Sequence, residues 1–201
     1  MFIWSSIAHL IALTSPGPDT AIIIRQVNLH GRRAGIYASI GIGFGIYAHC
    51  LLAINGISLF IITNDIYKLI VSLIGSIYIF YLGIRMAFPS NNAKENDQAI
   101  SSSFYGSFTS GLITNIFNIK AFIFFVSLFS MLIDSIDGLF FYIYPIYFSI
   151  TSALWFMFLS YLLTSSNTFN IERNYLINKA MALILCSIGL FIFLKSMYEY
   201  F

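Results

Sequence analysis

The stretch LTSPGPDTA, Leu13 to Ala21, places two prolines, a glycine and a carboxylate inside what otherwise reads as an apolar helix. Each is unwelcome in a lipid-facing helix: proline removes a backbone donor, glycine loosens the helix, and an ionised aspartate is costly to desolvate. The stretch is therefore either not a span or not lipid-facing.

The surrounding composition decides that it belongs to a membrane. Of 201 residues, 59% are hydrophobic and 9% charged, with a mean hydropathy of +0.85, whereas a soluble domain carries roughly 25% charged residues. About six apolar blocks of roughly 20 residues or more use up nearly the whole length, so no room remains for a soluble catalytic domain. A net charge of +2 is too small to imply a nucleic-acid partner. Cys50 and Cys186 lie in apolar blocks without CxxC spacing or companion histidines and read as packing residues, with no metal site or cofactor indicated. No positive charge precedes the first apolar run, which argues against a cleaved signal peptide.

Apolar runs set against polar punctuation predict six spans, at about 3–24, 34–60, 66–88, 105–133, 138–165 and 175–198. The connections fall at 25–33, 63–65, 89–103, 134–137 and 165–174. The third, PSNNAKENDQAISSS, is the longest and most polar, and divides the chain into a three-span unit at 1–88, a cytoplasmic linker at 89–104 and a second three-span unit at 105–201. Cytoplasmic loops are enriched in Lys and Arg. Arg25, Arg32, Arg33, Arg85, Lys94, Arg173 and Lys179 fall on one side and Lys68 and Lys195 on the other, so both termini are expected on the outer, periplasmic side. An odd number of spans per half makes the second half enter the membrane from the opposite side, the inverted plan of many secondary transporters. SIYIFYLGIRM (76–86) beside SIGLFIFLKSM (187–197) is a weak echo of such a duplication.

Pro16, Gly17 and Pro18 must interrupt helical hydrogen bonding, and a break inside a membrane is tolerated only where freed backbone groups face protein or water. After Pro18 a new half-helix starts, with Asp19 in its first turn and free amides that can hold an anion or be capped by Asp19 itself. The plain alternative is a kink that shapes packing. In TNIFNIKAF (114–122), Asn115, Asn118 and Lys120 interrupt the apolar fourth span. An ammonium at that depth needs a counter-ion or water, and Asp19 is the only well-embedded acid; the alternative is snorkelling to the interface. Paired, the two charges could bind the ammonium and carboxylate of a zwitterion, or carry a proton. Gly41 and Gly45, like Gly31 and Gly35, have the four-residue spacing that lets helices approach closely, within the chain or in a homodimer. His49 reads either as a proton relay or as a packing histidine. His9, in a mostly apolar surround, reads as structural. HExxH, GxSxG and Walker motifs are missing from the sequence, which disfavours an enzyme.

Several stretches together resemble one family, the lysine exporter superfamily in its homoserine/threonine efflux branch. They are SPGPDT (15–20), GRRAGIYASIGIGFGIYAHCLLAINGIS (31–58), GSIYIFYLGIRM (75–86), FTSGLITNIFNIKAFIFF (108–125) and FSMLI (129–133). The family's span-four motif reads Asn-Pro-Lys, whereas this chain has Asn118, Ile119, Lys120, so the proline that would enforce a break there is gone. The resemblance implies export of small amino acids such as homoserine, threonine, leucine or lysine across the bacterial inner membrane in exchange for protons. By motif position it carries over Pro16, Gly17, Pro18, Asp19, Gly41, His49, Asn118 and Lys120. The expectation is thus an all-α integral membrane protein of two inverted three-helix repeats, with a substrate site at Pro16 to Asp19, Asn115, Asn118 and Lys120, and proton coupling through Asp19 and His49. Two rivals stand beside it, a divalent metal cation exporter and a non-transporting membrane partner protein.

Overall fold

A computed structural model describes residues 2–88, 104–132, 138–165 and 171–200. These form helices α1 (Phe2–Thr14), α2 (Pro18–Ile54), α3 (Ile57–Thr63), α4 (Asp65–Ala87), α5 (Phe104–Ile116), α6 (Ile119–Leu132), α7 (Phe140–Ser165) and α8 (Ile171–Tyr200), and among the described residues there is no strand. The linker with Lys94, the connection at 134–137 and residues 166–170 of the one at 165–174 lie outside the described residues, while 171–174 already belong to α8.

Four helices, α2, α4, α7 and α8, are long and apolar enough to cross a membrane, and α5 with α6 makes a fifth candidate bent by 58°. A straight helix of 37 residues would run about 55 Å, nearly twice the roughly 30 Å hydrocarbon thickness. α2 is not straight. Gly31 interrupts it with φ +80° and ψ −178°, a conformation that L side chains avoid and glycine adopts freely, giving arms at 18–30 and 32–54. This corrects two expectations. The connection read at 25–33 is helical up to Gly31, and Gly31 is a bend rather than a packing glycine, since a Cβ there would meet nothing within 4 Å. The second span ends early as well: Ile54 closes α2, Gly56 turns with φ +73°, and the short α3 follows.

The other glycines of that arm are spent on close packing inside the chain. A Cβ on Gly41 would run into the Phe108 carbonyl of α5, one on Gly111 into the Ala38 carbonyl of α2, and one on Gly35 into Val27 and Ser160. α4 and α8 approach in the same way, with Gly83 against Cys186 and Gly189 against Ser76 and Phe80. α2 thus runs through the centre, packed on α5, α6 and α7. Between α6 and α7 the buried rings of Phe125, Phe129 and Phe148 fill the core, with centroids 5.6 Å apart for Phe125–Phe148 and 6.2 Å for Phe129–Phe148. α1 is a short helix resting on α7, its Phe2 ring set edge-on between Tyr144 and Tyr147.

Candidate functional site

Two helix breaks meet at the middle of the molecule. At the first, α1 stops at Thr14 and α2 restarts at Pro18, with Gly17 as an extended N-cap at φ −175° and Pro18 at the first helical position. Proline is suited to that position because its missing N–H would be unpaired there anyway. At the second, α5 stops at Ile116 and α6 restarts at Ile119. The break expected to vanish with the family proline is present. Asn118 makes it: its Oδ1 accepts from the amides of Lys120 at 3.1 Å and Ala121 at 3.4 Å, a side-chain N-cap that satisfies two otherwise orphan donors. Ile119 then takes the first helical position and packs into the space over Gly75, where a Cβ would lie 2.8 Å from the Ile119 Cδ1.

In each restarted helix the second residue is charged: Asp19 in α2 and Lys120 in α6. Each charge reaches across to the opposite break. Asp19 does not cap its own helix; its Oδ2 accepts from Asn115 Nδ2 and Asn118 Nδ2, both at 2.9 Å. Lys120 Nζ donates to the carbonyls of Ser15 at 2.6 Å and Ala12 at 3.1 Å. Ala12 lies in the last turn of α1 and Ser15 directly follows the helix, so both carbonyls stand at the negative end of its dipole, where helical partners run out. The ammonium, ill-placed at the N-terminus of its own helix, is stabilised by the C-terminus of another. No ion pair joins Asp19 to Lys120 among the described residues, so the counter-ion expected for Lys120 is replaced by backbone dipoles.

Asp19, Asn115 and Asn118 are buried, and Asp19 Oδ1 has no protein partner. Gly45 makes room for Asn115, whose side chain a Cβ at that position would strike. Between the two breaks lies a cavity of about 100 Å³, several times what one water requires. Gly17, Asp19, Asn118 and Lys120 line it together with the apolar Leu13, Ile46, Phe124, Phe125 and Phe156. Of the expected substrate-site residues, Pro16, Pro18 and Asn115 do not line it.

His9, read from the sequence as structural, has a place in the cavity wall that the sequence does not show. It is buried and lines the cavity, with Nε2 3.0 Å from Ser152 Oγ and Nδ1 3.5 Å from Thr151 Oγ1, so it ties α1 to α7. Its spacing from Asp19 carried no signal, because the break intervenes. His49 sits elsewhere: its Nε2 meets the Asn115 carbonyl at 2.9 Å and its ring stands edge-on to Phe122 at 6.0 Å, behind the site rather than in the cavity. Among the described residues no three His, Cys, Asp or Glu side chains gather as a metal site would require.

The family model for the LysE type translocator matches residues 10–196, a range that contains both breaks. The chain belongs to that family. As a LysE type translocator with several apolar helices, it is a multi-pass membrane protein. Its relatives include the threonine efflux protein of Salmonella typhi, 29% identical over 142 residues that make up 69% of each chain. The threonine efflux protein of Escherichia coli is 27% identical over 142 residues, again 69% of each. An uncharacterized membrane protein of Bacillus subtilis is 24% identical over 189 residues, 87% of this chain and 90% of that one. No solved structure matches the chain.

Proposed function

We propose that this LysE type translocator is a secondary-active exporter of small amino acids or their derivatives, working across the bacterial inner membrane by proton antiport and alternating access. The observation that carries the reading is the crossed bonding of the two breaks. A carboxylate held by neutral amides and an ammonium held by neutral carbonyls flank one cavity without neutralising each other. Such a site offers an acceptor to an α-ammonium group and a donor to an α-carboxylate. Its remaining walls take a side chain. The threonine efflux proteins among its relatives support an amino acid as the cargo.

In this reading six spans cross the membrane: α1 with the arm 18–30, the arm 32–54, α4, α5 with α6, α7, and α8. Residues 1–88 and 105–201 are the two inverted halves, and each contributes one broken helix with a charge at the second position of its restart. Asp19 carries the coupling proton, because a carboxylate that exchanges a proton for the substrate's ammonium links the two affinities. Asn115 and Asn118 hold that carboxylate, while His49 braces Asn115 through its backbone carbonyl. The basic residues place both termini in the periplasm. A divalent cation would find one acid and a lysine, a poor oxygen cage.

The test is efflux from proteoliposomes preloaded with labelled threonine, homoserine, leucine or lysine, with and without an imposed pH gradient. Wild type releases at least one of them faster with the gradient. Asp19→Asn keeps the fold but loses the gradient-driven component. Equal release by the variant removes Asp19 from the coupling, and retention of every amino acid by wild type overturns the exporter reading.

A further inference from the structure

The translocation site is one end of a longer polar seam. Gln26 lies seven residues beyond Asp19 on the same arm of α2, and Ser107 lies eight residues before Asn115 on α5. That is about 10–12 Å along each helix. The two elements pair Asp19 with Asn115 at one level and Gln26 with Ser107 at the next, the Ser107 hydroxyl donating to Gln26 Oε1 at 3.4 Å. Between the levels Tyr78 Oη of α4 meets Thr114 Oγ1 at 3.0 Å. Gln26 is 0% exposed, and its Nε2 has no partner. A buried primary amide with an unmade donor costs stability anywhere, and inside a membrane water cannot reach it through lipid. Among the described residues, the four buried side-chain atoms without a partner, on Asp19, Gln26, His49 and Asn115, belong to α2 and α5. Along that same interface Gly41 and Gly111 bring the backbones too close for any side chain to intervene.

We propose that Gln26 and Ser107 form a second binding station for the exported amino acid, on the side of Asp19 that the basic residues mark as cytoplasmic, seen here in its closed form. The inference rests on the exporter reading. Gln26 Nε2–H and the Ser107 hydroxyl are donors, so the group they take is the substrate's carboxylate. The station has no charge of its own, so it binds weakly and releases the substrate to Asp19 and Lys120, as a path with several sites requires. The α2–α5 interface is the cytoplasmic gate, and its unpaired amide waits for a ligand rather than for a structural partner.

Ile22→Cys, one turn from Gln26 toward Asp19 on α2 and made with Cys50→Ala and Cys186→Ala, leaves both donors in place and tests this in membrane vesicles of both orientations with a membrane-impermeant thiol reagent. The station predicts reaction from the cytoplasmic face, slowed about fivefold or more by at least one of threonine, homoserine, leucine or lysine. A thiol inert from both faces overturns it, and so does a reactive thiol that none of the four protects. Gln26→Met supplies the second reading: it melts close to wild type, because removing an unmade donor offsets the loss of the long 3.4 Å bond from Ser107, yet it slows efflux about fivefold or more. A variant that melts several degrees lower and exports at the wild-type rate makes Gln26 a structural residue and also overturns the proposal. Thiol protection needs no flux, so protection of the Ile22→Cys thiol in a protein that releases nothing from liposomes sinks the exporter reading and leaves only an amino-acid-binding site at Gln26 and Ser107.

Discussion

The two breaks reach matching geometry by different means. The one at Gly17–Pro18 is written into the backbone, since proline at the first helical position lacks the donor a continuous helix needs. The one at Asn118–Ile119 is held by a side chain: Asn118 caps α6 with its oxygen while its nitrogen donates to Asp19. In the second break one residue is both hinge and ligand. A change in the bonding of Asp19 therefore acts directly on the cap of α6, whereas Lys120 reaches the first break only through backbone carbonyls at the end of α1 and leaves the start of α2 untouched.

The largest effect that sharpens this contrast comes from Asn118→Ala. It removes the cap, worth about 1–2 kcal/mol, and leaves the buried Asp19 oxygen with one donor in place of two, about 1–3 kcal/mol more. Thermal unfolding in detergent drops accordingly and efflux falls to background. Next comes Lys120→Met, which strips the Ala12 and Ser15 carbonyls of their donor and costs about 1–3 kcal/mol. Hydrogen exchange at the end of α1 accelerates, while α6 keeps its protection. Ile119→Pro restores a proline at a position where the amide has no helical partner to lose. It folds, with a stability change within about 1.5 kcal/mol set by lost packing over Gly75, and its efflux slows because the second break can no longer straighten. The smallest change is Gly17→Ala. Its φ of −175° suits any residue, and a Cβ there meets the Lys120 stem at an ordinary 3.5 Å, so stability stays within about 0.5 kcal/mol of wild type. If Gly17→Ala proves as damaging as Asn118→Ala, the two breaks do not differ in the way described.

What the sequence made legible follows the same divide. Pro16, Gly17 and Pro18 leave no conformational choice, so the first break can be read without coordinates. The second cannot, because a lone asparagine within an apolar run is as compatible with a packed polar side chain as with a cap, and the family proline that would have marked it is Ile119. Lys120 announced itself as a charge within an apolar run but not its partner, since free carbonyls of a broken helix have no sequence signature. Gly31 has the spacing of a packing glycine and the conformation of a bend; four-residue periodicity cannot tell these apart. His9 and Asp19 share a cavity because the chain breaks between them, which hides the relation from any helical periodicity.

The crossed arrangement of Asp19 and Lys120 also has an electrical consequence. Their formal charges sum to zero, and a zwitterionic cargo adds none, so in the proposed exchange the loaded site is neutral. Each proton carried back on Asp19 would then be a whole elementary charge moved across the bilayer. Membrane voltage would act on that step at about 2.3 kcal/mol per 100 mV, and the proposed exchange would run as a current whose size, compared with the amino acid released, counts the protons per cycle.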